Sequence, residues 1–265
     1  MMEFDKGPNK KIAKLFSEAP DYSPYKEYFW YDWGPVFYRG RLDGSARVIC
    51  VASDPGPTER AACRTLVGDA GQRTQGFLAK LGLTRSYILV NAFLYALHPG
   101  HFDDGKRVLQ DPQQTAWRNK LFNLLKTPKI EAIIAFGSMA QKAVDLWPDK
   151  GNIPVFNVHH PSYREEEELL ESWRNGITGL RAVVKPDRDG NPNLPNYGTE
   201  FNEEDYAPIP KKDLPFGLPQ SMGDDSWGRI ASPRHNNCME RPNPDDGHTL
   251  IWIVPNTYPP TPNNG

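Results

Sequence analysis

The chain has 265 residues, 38% of them hydrophobic, with a mean hydropathy of −0.64 and a formal net charge of −2 at pH 7. That length holds one large domain, or one domain with an appendage. The near-neutral charge gives no support for a broad electrostatic footprint on nucleic acid, although a local basic groove can sit on a neutral protein. Cys50, Cys63 and Cys238 have no CxxC spacing, so they make neither a zinc site nor a disulfide framework.

Residues 1–46 read as a mixed lead-in: a short helix over Asn9 to Glu18 ended by Pro20, then an aromatic-rich stretch from Tyr22 to Tyr38. Such aromatics can stack on bases or sugars, but packing against a core is the favoured reading. The first residues, Met1 to Lys6, lack the apolar segment of a signal peptide. No stretch approaches the length of a membrane span, and a reducing, cytoplasmic setting is expected.

Between residues 47 and 184, apolar runs alternate with helical patterns. Val48 to Ala52 is a buried strand that stops at Ser53-Asp54-Pro55-Gly56. A small-residue loop over Leu66 to Gly71 leads into a helix from Gln72 to Leu81, with Gly82 at its C-terminal end. Ser86 to Ala92 is a second strand, and residues 98–114 read mainly as a polar loop. A helix follows from Pro112 to Leu125, then a strand from Ile130 to Phe136, with Ser138 as the cap of the next helix. Pro154 to Val158 is the fourth strand, running into His159-His160-Pro161-Ser162. Glu165 to Glu168 place four acids in the first turn of an amphipathic helix, which suits its dipole.

Strands alternating with helices predict a three-layer α/β/α sandwich around a largely parallel sheet. No internal repeat and no glycine-rich phosphate loop occurs, which disfavours a dinucleotide or P-loop protein. Many of the 26 prolines lie after Lys185, so 185–265 reads as an irregular extension wrapping the core. One late run, His248 to Val254, looks like a strand able to pair with a core edge.

Three strand ends carry distinctive polar residues: Asp54, Asn91 and His160. Each has an ordinary explanation, as turn residue, cap or structural hydrogen-bonder. At one edge of a parallel sheet, however, an acid, an amide and an imidazole suit recognition of a flat heterocycle and cleavage of a C–N bond.

Five pieces in order carry a resemblance: Ala52-Ser53-Asp54-Pro55-Gly56, Leu66-Val67-Gly68-Asp69-Ala70-Gly71-Gln72, Tyr87-Ile88-Leu89-Val90-Asn91, Ile133-Ile134-Ala135-Phe136-Gly137-Ser138 and His160-Pro161-Ser162. Together they resemble the uracil-DNA glycosylase superfamily, nearest its branch with a Gly-Glu-x-Pro-Gly loop, over roughly residues 46–183. The resemblance implies a four-stranded parallel sheet between helices, DNA as partner, a nucleotide extruded into a pocket, and neither redox cofactor nor catalytic metal. It implies that Asp54 activates water and stabilises charge, that Asn91 reads the flipped base, and that His160 stabilises negative charge at the base's O2. Pro161 and Ser162 would approach backbone phosphates, with Pro55, Gly56, Gly71 and Ser138 also on the DNA side. Tyr163 or Arg164 would be the wedge.

Departures are specific. Ser53 stands where the nearest branch has Glu, and Leu66 where it has the Phe that stacks on uracil. Tyr95 stands where an iron–sulfur cysteine would be, so no cluster is expected. A monomeric glycosylase acting on a bulkier modified pyrimidine, such as hydroxymethylated or glucosylated cytosine in phage DNA, fits these changes. Uracil excision in repair, a non-catalytic DNA-binding relative and a small-molecule hydrolase remain the alternatives.

Overall fold

A computed structural model describes residues 3–219, 222–223, 239–240 and 251–252. The central sheet has five strands, β1 (Arg39–Gly40), β2 (Val48–Ala52), β3 (Tyr87–Asn91), β4 (Ala132–Phe136) and β5 (Val155–Val158), in the order β1-β3-β2-β4-β5. All neighbours are parallel except the β1–β3 pair. Every residue of β2, β3 and β4 is buried. Continuous apolar runs of this kind belong to strands covered on both faces.

The helices are α1 (Lys10–Ser17), α2 (Pro57–Ala62), α3 (Asp69–Lys80), α4 (Phe102–Leu109), α5 (Pro112–Leu125), α6 (Ser138–Asp145) and α7 (Glu166–Arg181). Successive strand residues point to opposite faces, and the two apolar cores follow that period. Ile49, Val51, Ile88, Val90, Ile133 and Ala135 meet Leu109, Leu121 and Met139 from α4, α5 and α6. Val48, Cys50, Leu89, Ile134 and Phe136 meet Phe77, Leu170 and Trp173 from α3 and α7. The three-layer α/β/α arrangement results.

Four details differ from the sequence reading. A fifth strand joins the expected four: β1 is too short to show a pattern, and Gly40 (φ +104) crosses so near β3 that a Cβ would lie 2.5 Å from the Tyr87 carbonyl oxygen. The 98–114 loop contains α4, whose Asp103 and Asp104 open it and whose Lys106 and Arg107 close it in line with the helix dipole. Its Gly105 lies where Leu97 and Met139 come close. Helix α3 begins at Asp69 rather than Gln72. Ser138 is the first residue of α6, not its cap; Gly137 holds the cap position at φ +85.

The aromatic lead-in packs inward, with Tyr22, Phe29, Trp33 and Tyr38 all buried. It also forms a short ladder with the chain leaving β3. Trp30 N–H donates to Ala96 O, His98 N–H to Tyr28 O and Val36 N–H to Leu94 O, each at 2.8 Å.

Residues 185–219 lie against the sheet edge and α3. Asp187 accepts hydrogen bonds from the backbone of Thr84, Arg85 and Ser86, from the Ser86 hydroxyl and from Arg47. Burial works against its charge, but these donors outweigh it and hold its carboxyl at about 2. Asp205 pairs with Lys80 at 2.9 Å, and Gly76 of α3 leaves room for the Asp205 carbonyl. Asp213 is wholly buried, bonded to Arg39, Arg41 and the Tyr87 hydroxyl. Of the expected strand over His248 to Val254, Ile251–Trp252 is described. It pairs antiparallel with Met239–Glu240 in a separate two-stranded sheet, not with the core sheet; the other positions lie outside the described residues. Among the described residues no helix is long and apolar enough to cross a membrane.

Candidate active site

In a parallel sheet all strands deliver their carboxyl ends to one edge, and ligands bind in the crevice beyond it. A cavity of about 750 Å³ opens there. Ser53 and Asp54 enter its wall from the loop after β2, and Phe136 and Gly137 from the end of β4. His159, His160, Ser162, Tyr163 and Arg164 follow β5, while Phe102, Ser138, Met139 and Gln141 come from α4 and α6.

Asp54 is half-buried and held at one oxygen: the Leu97 N–H donates to Oδ2 at 2.9 Å. Burial raises its carboxyl above the ordinary 3.8; hydrogen bonds from Leu97 and Ser53 oppose the rise, and the Glu59 charge adds to it. The loop after β2 is tied to the loop after β3, since Ala92 N–H donates to Ala52 O and Phe93 N–H to Ser53 O. The backbone carrying Asp54 therefore continues the sheet.

His160 shares the cavity wall with Asp54. Burial pushes its imidazole down to about 4, so the ring is neutral at pH 7. Ser162 N–H points to His160 Nδ1 at 3.2 Å. A backbone N–H can only donate, so Nδ1 is the bare nitrogen and Nε2 carries the proton. The backbone around it is fixed from three sides. Trp173 Nε1 donates to His159 O, Ser172 Oγ accepts from His159 N–H, and Arg73 donates to Pro161 O. Gly137 completes the seat, because a Cβ there would lie 2.9 Å from His160 Cβ.

Asn91 ends β3 in register with Ala52, two residues before Asp54. It is not a wall residue of the cavity, yet it is buried and neither its Nδ2 nor its Oδ1 has a hydrogen-bond partner among the described residues. A buried amide with both polar atoms unsatisfied is costly and calls for a reason; reading a ligand's edge is one.

Leu66 is not a wall residue of the cavity. It is 5% exposed, sits at φ +52 and belongs to the core with Phe77 and Phe136. Gly71 is buried where a Cβ would collide with the Leu66 carbonyl at 2.0 Å, so packing accounts for that glycine. Pro55 is buried, and Gly56 caps α2. Both wedge candidates, Tyr163 and Arg164, are exposed; Tyr163 stacks on His159 (ring centroids 4.1 Å apart) and donates to Glu168. Tyr95 packs between Tyr22 and Tyr31.

The sequence reading missed Glu59. Its carboxylate accepts from the backbone N–H of Gly56, Val67 and Gly68, clamping the Asp54 loop to the loop before α3. An acid three residues past the Gly56 cap was its signal. Leu97, Arg73 and Gln141 carried none.

Fold and site together define an α/β protein with a ligand cleft at the carboxyl edge of a parallel sheet, walled by an acid and a neutral imidazole from different strands. Residues 39–175, more than half of the chain, match the model of the Uracil DNA glycosylase superfamily, and the chain belongs to that superfamily. Among curated proteins none matches it.

Proposed function

We propose that this protein is a monofunctional DNA glycosylase that takes one nucleotide out of the stack and hydrolyses its N-glycosidic bond, leaving an abasic site. The observation that carries the reading is the pairing, in one cavity, of a partly desolvated carboxylate with an imidazole held neutral and protonated on Nε2. As the C1′–N bond breaks, its electron pair moves into the base and charge grows at the carbonyl oxygen. The Nε2–H donates to that oxygen, which is stabilisation of charge by a preorganised dipole. Asp54 balances the cationic sugar and accepts the proton of the water that adds to C1′. Asn91 is assigned the edge of the base because both polar atoms of its buried amide lack a partner among the described residues; contact requires the cavity wall in front of it to open.

The favoured substrate is a modified pyrimidine bulkier than uracil, such as hydroxymethylated or glucosylated cytosine in phage DNA, which makes the role one of defence. Supporting this, the cavity lies in the upper part of the roughly 300–1,000 Å³ range of ligand pockets, and its lining includes Phe102, Met139 and Gln141. Leu66 supplies no stacking platform. The room for the base is therefore set by the residues that line the cavity and not by Leu66. The same reading takes the protein as a cytoplasmic monomer, in keeping with free thiols at Cys50 and Cys63.

Mass spectrometry of bases freed from uracil-containing, hydroxymethylated and glucosylated DNA tests this. Release of a modified cytosine is the expected result. Release of uracil alone would move the protein to repair, and DNA binding with no base released from any DNA would leave a non-catalytic relative.

A further inference from the structure

We infer that His98 is a positioning residue for Asp54, acting through the backbone N–H of Leu97. The inference rests on the reading of Asp54 as the carboxylate of a glycosylase. Leu97, on the β3 side, donates its N–H to Asp54 Oδ2 at 2.9 Å. What fixes that N–H is not pairing with the chain leaving β2, whose last such bond is Phe93 N–H to Ser53 O, but the aromatic lead-in. Phe29 and Leu97 form an antiparallel bridge. On either side of it Trp30 N–H donates to Ala96 O and His98 N–H to Tyr28 O.

The His98 side chain locks this ladder at its open end. Its Nδ1 lies 3.1 Å from Glu27 O, and a carbonyl only accepts, so Nδ1 carries the proton. The ring sits edge-on to Trp30 at 4.1 Å between centroids. Its Nε2 is buried with no partner among the described residues, so the ring is seated as a one-donor clamp and not as part of a relay. Pro99 and Gly100, immediately beyond it, are exposed. Without the clamp, the backbone bonds to Tyr28 and Trp30 remain but lose their side-chain tie at the open end, and on its other side Leu97 keeps only the contact of its side chain with Gly105 of α4.

A positioned donor lowers the pKa of the carboxylate it serves. Loosening Leu97 therefore raises the Asp54 pKa, while the other titratable groups near Asp54, Glu59 and His160, keep their own contacts. The test compares the full-length wild type, His98→Ala and His98→Asn, whose amide Nδ2–H can replace the Nδ1–H donor. Titration of the Asp54 carboxyl carbon by NMR needs no substrate. His98→Ala should raise that pKa and His98→Asn should return it towards wild type. On uracil-containing and glucosylated oligonucleotides, kcat of His98→Ala should fall about tenfold to hundredfold, in the range expected for a small misplacement, with little change in KM. An Asp54 titration in His98→Ala identical to that of the wild type overturns the inference, whatever the activity. Failure of the wild type to release any base refutes the glycosylase reading instead, and the titration still decides the role of His98.

Discussion

In the proposed reaction His160 and Asp54 have opposite needs, and burial serves the first and works against the second. An imidazole that must donate a hydrogen bond to a developing oxyanion is best kept neutral, and burial does that. A carboxylate that must stay charged near a desolvated site requires donors, and Leu97 and Ser53 provide them. Asp54→Asn and His160→Ala are each expected to reduce base release by about 100- to 1000-fold, the usual cost of removing one preorganised stabiliser, with circular dichroism unchanged. Single-turnover assays on DNA carrying the released base check this, and near-wild-type rates in both variants would remove the assignment. Burial of His160 also has a stability consequence. Its folded pKa of about 4 lies below the ordinary 6.5, so between those values the unfolded chain binds more protons and stability rises with pH. Its contribution is fully present above 6.5 and is lost as pH falls towards 4. Urea unfolding of wild type and His160→Asn across pH 4–7 should therefore show a wild-type slope that the variant lacks.

At the scale of elements, the site depends on loops that close on themselves through backbone groups. Glu59 satisfies three N–H donors from two loops, two of them buried. Glu59→Ala orphans these two, and an unmet buried donor costs about 1–3 kcal/mol. Chemical denaturation should register at least that loss, together with slower turnover because the Asp54 loop is no longer clamped. Gly137→Ala attacks the other side of the cavity. It forces a non-glycine residue to φ +85 and sets a Cβ against His160, so turnover should fall with little loss of DNA binding, as measured by fluorescence anisotropy beside the rate. The strands were legible in the sequence because Val48 to Ala52 and Ile133 to Phe136 are apolar without alternation and end abruptly in polar residues. Helix α4 was not. Asp103-Asp104-Gly105-Lys106-Arg107 hides its apolar face, which consists of Val108 and Leu109 against the core. Leu66 exposes a second limit: its place in an ordered motif pointed to the pocket, but a left-handed φ sends it into the core, and the sign of φ at a leucine leaves no trace in composition.

Across the whole molecule, the segment after residue 185 is joined to the core by carboxylates. Asp187 closes over the start of β3, Asp205 meets Lys80 on α3, and Asp213 reaches Arg39 on β1. A proline-rich stretch without periodic apolar residues announced an irregular extension; it did not announce three buried anions, because each is defined by a partner 100 or more residues away. Of these anions Asp213 is the most exacting, since both it and Arg39 are wholly buried. Removing two charges from water costs several kcal/mol per ion, so the pair is not in itself a large source of stability. Breaking it is another matter. Asp213→Ala leaves Arg39 buried with Thr65 O and the Gln75 carboxamide as its remaining partners, and it strips an acceptor from Arg41 and the Tyr87 hydroxyl. Loss of about 3–5 kcal/mol is expected, read as a shift in the urea midpoint. Adding Arg39→Met to Asp213→Ala should recover part of that loss, because the stranded charge is gone. If Asp213→Ala is as stable as the wild type, the extension is an appendage resting on the sheet; if it is destabilised and rescued, residues 185–219 are part of the fold that holds β1 and β3, and through β3 the strand end that carries Asn91.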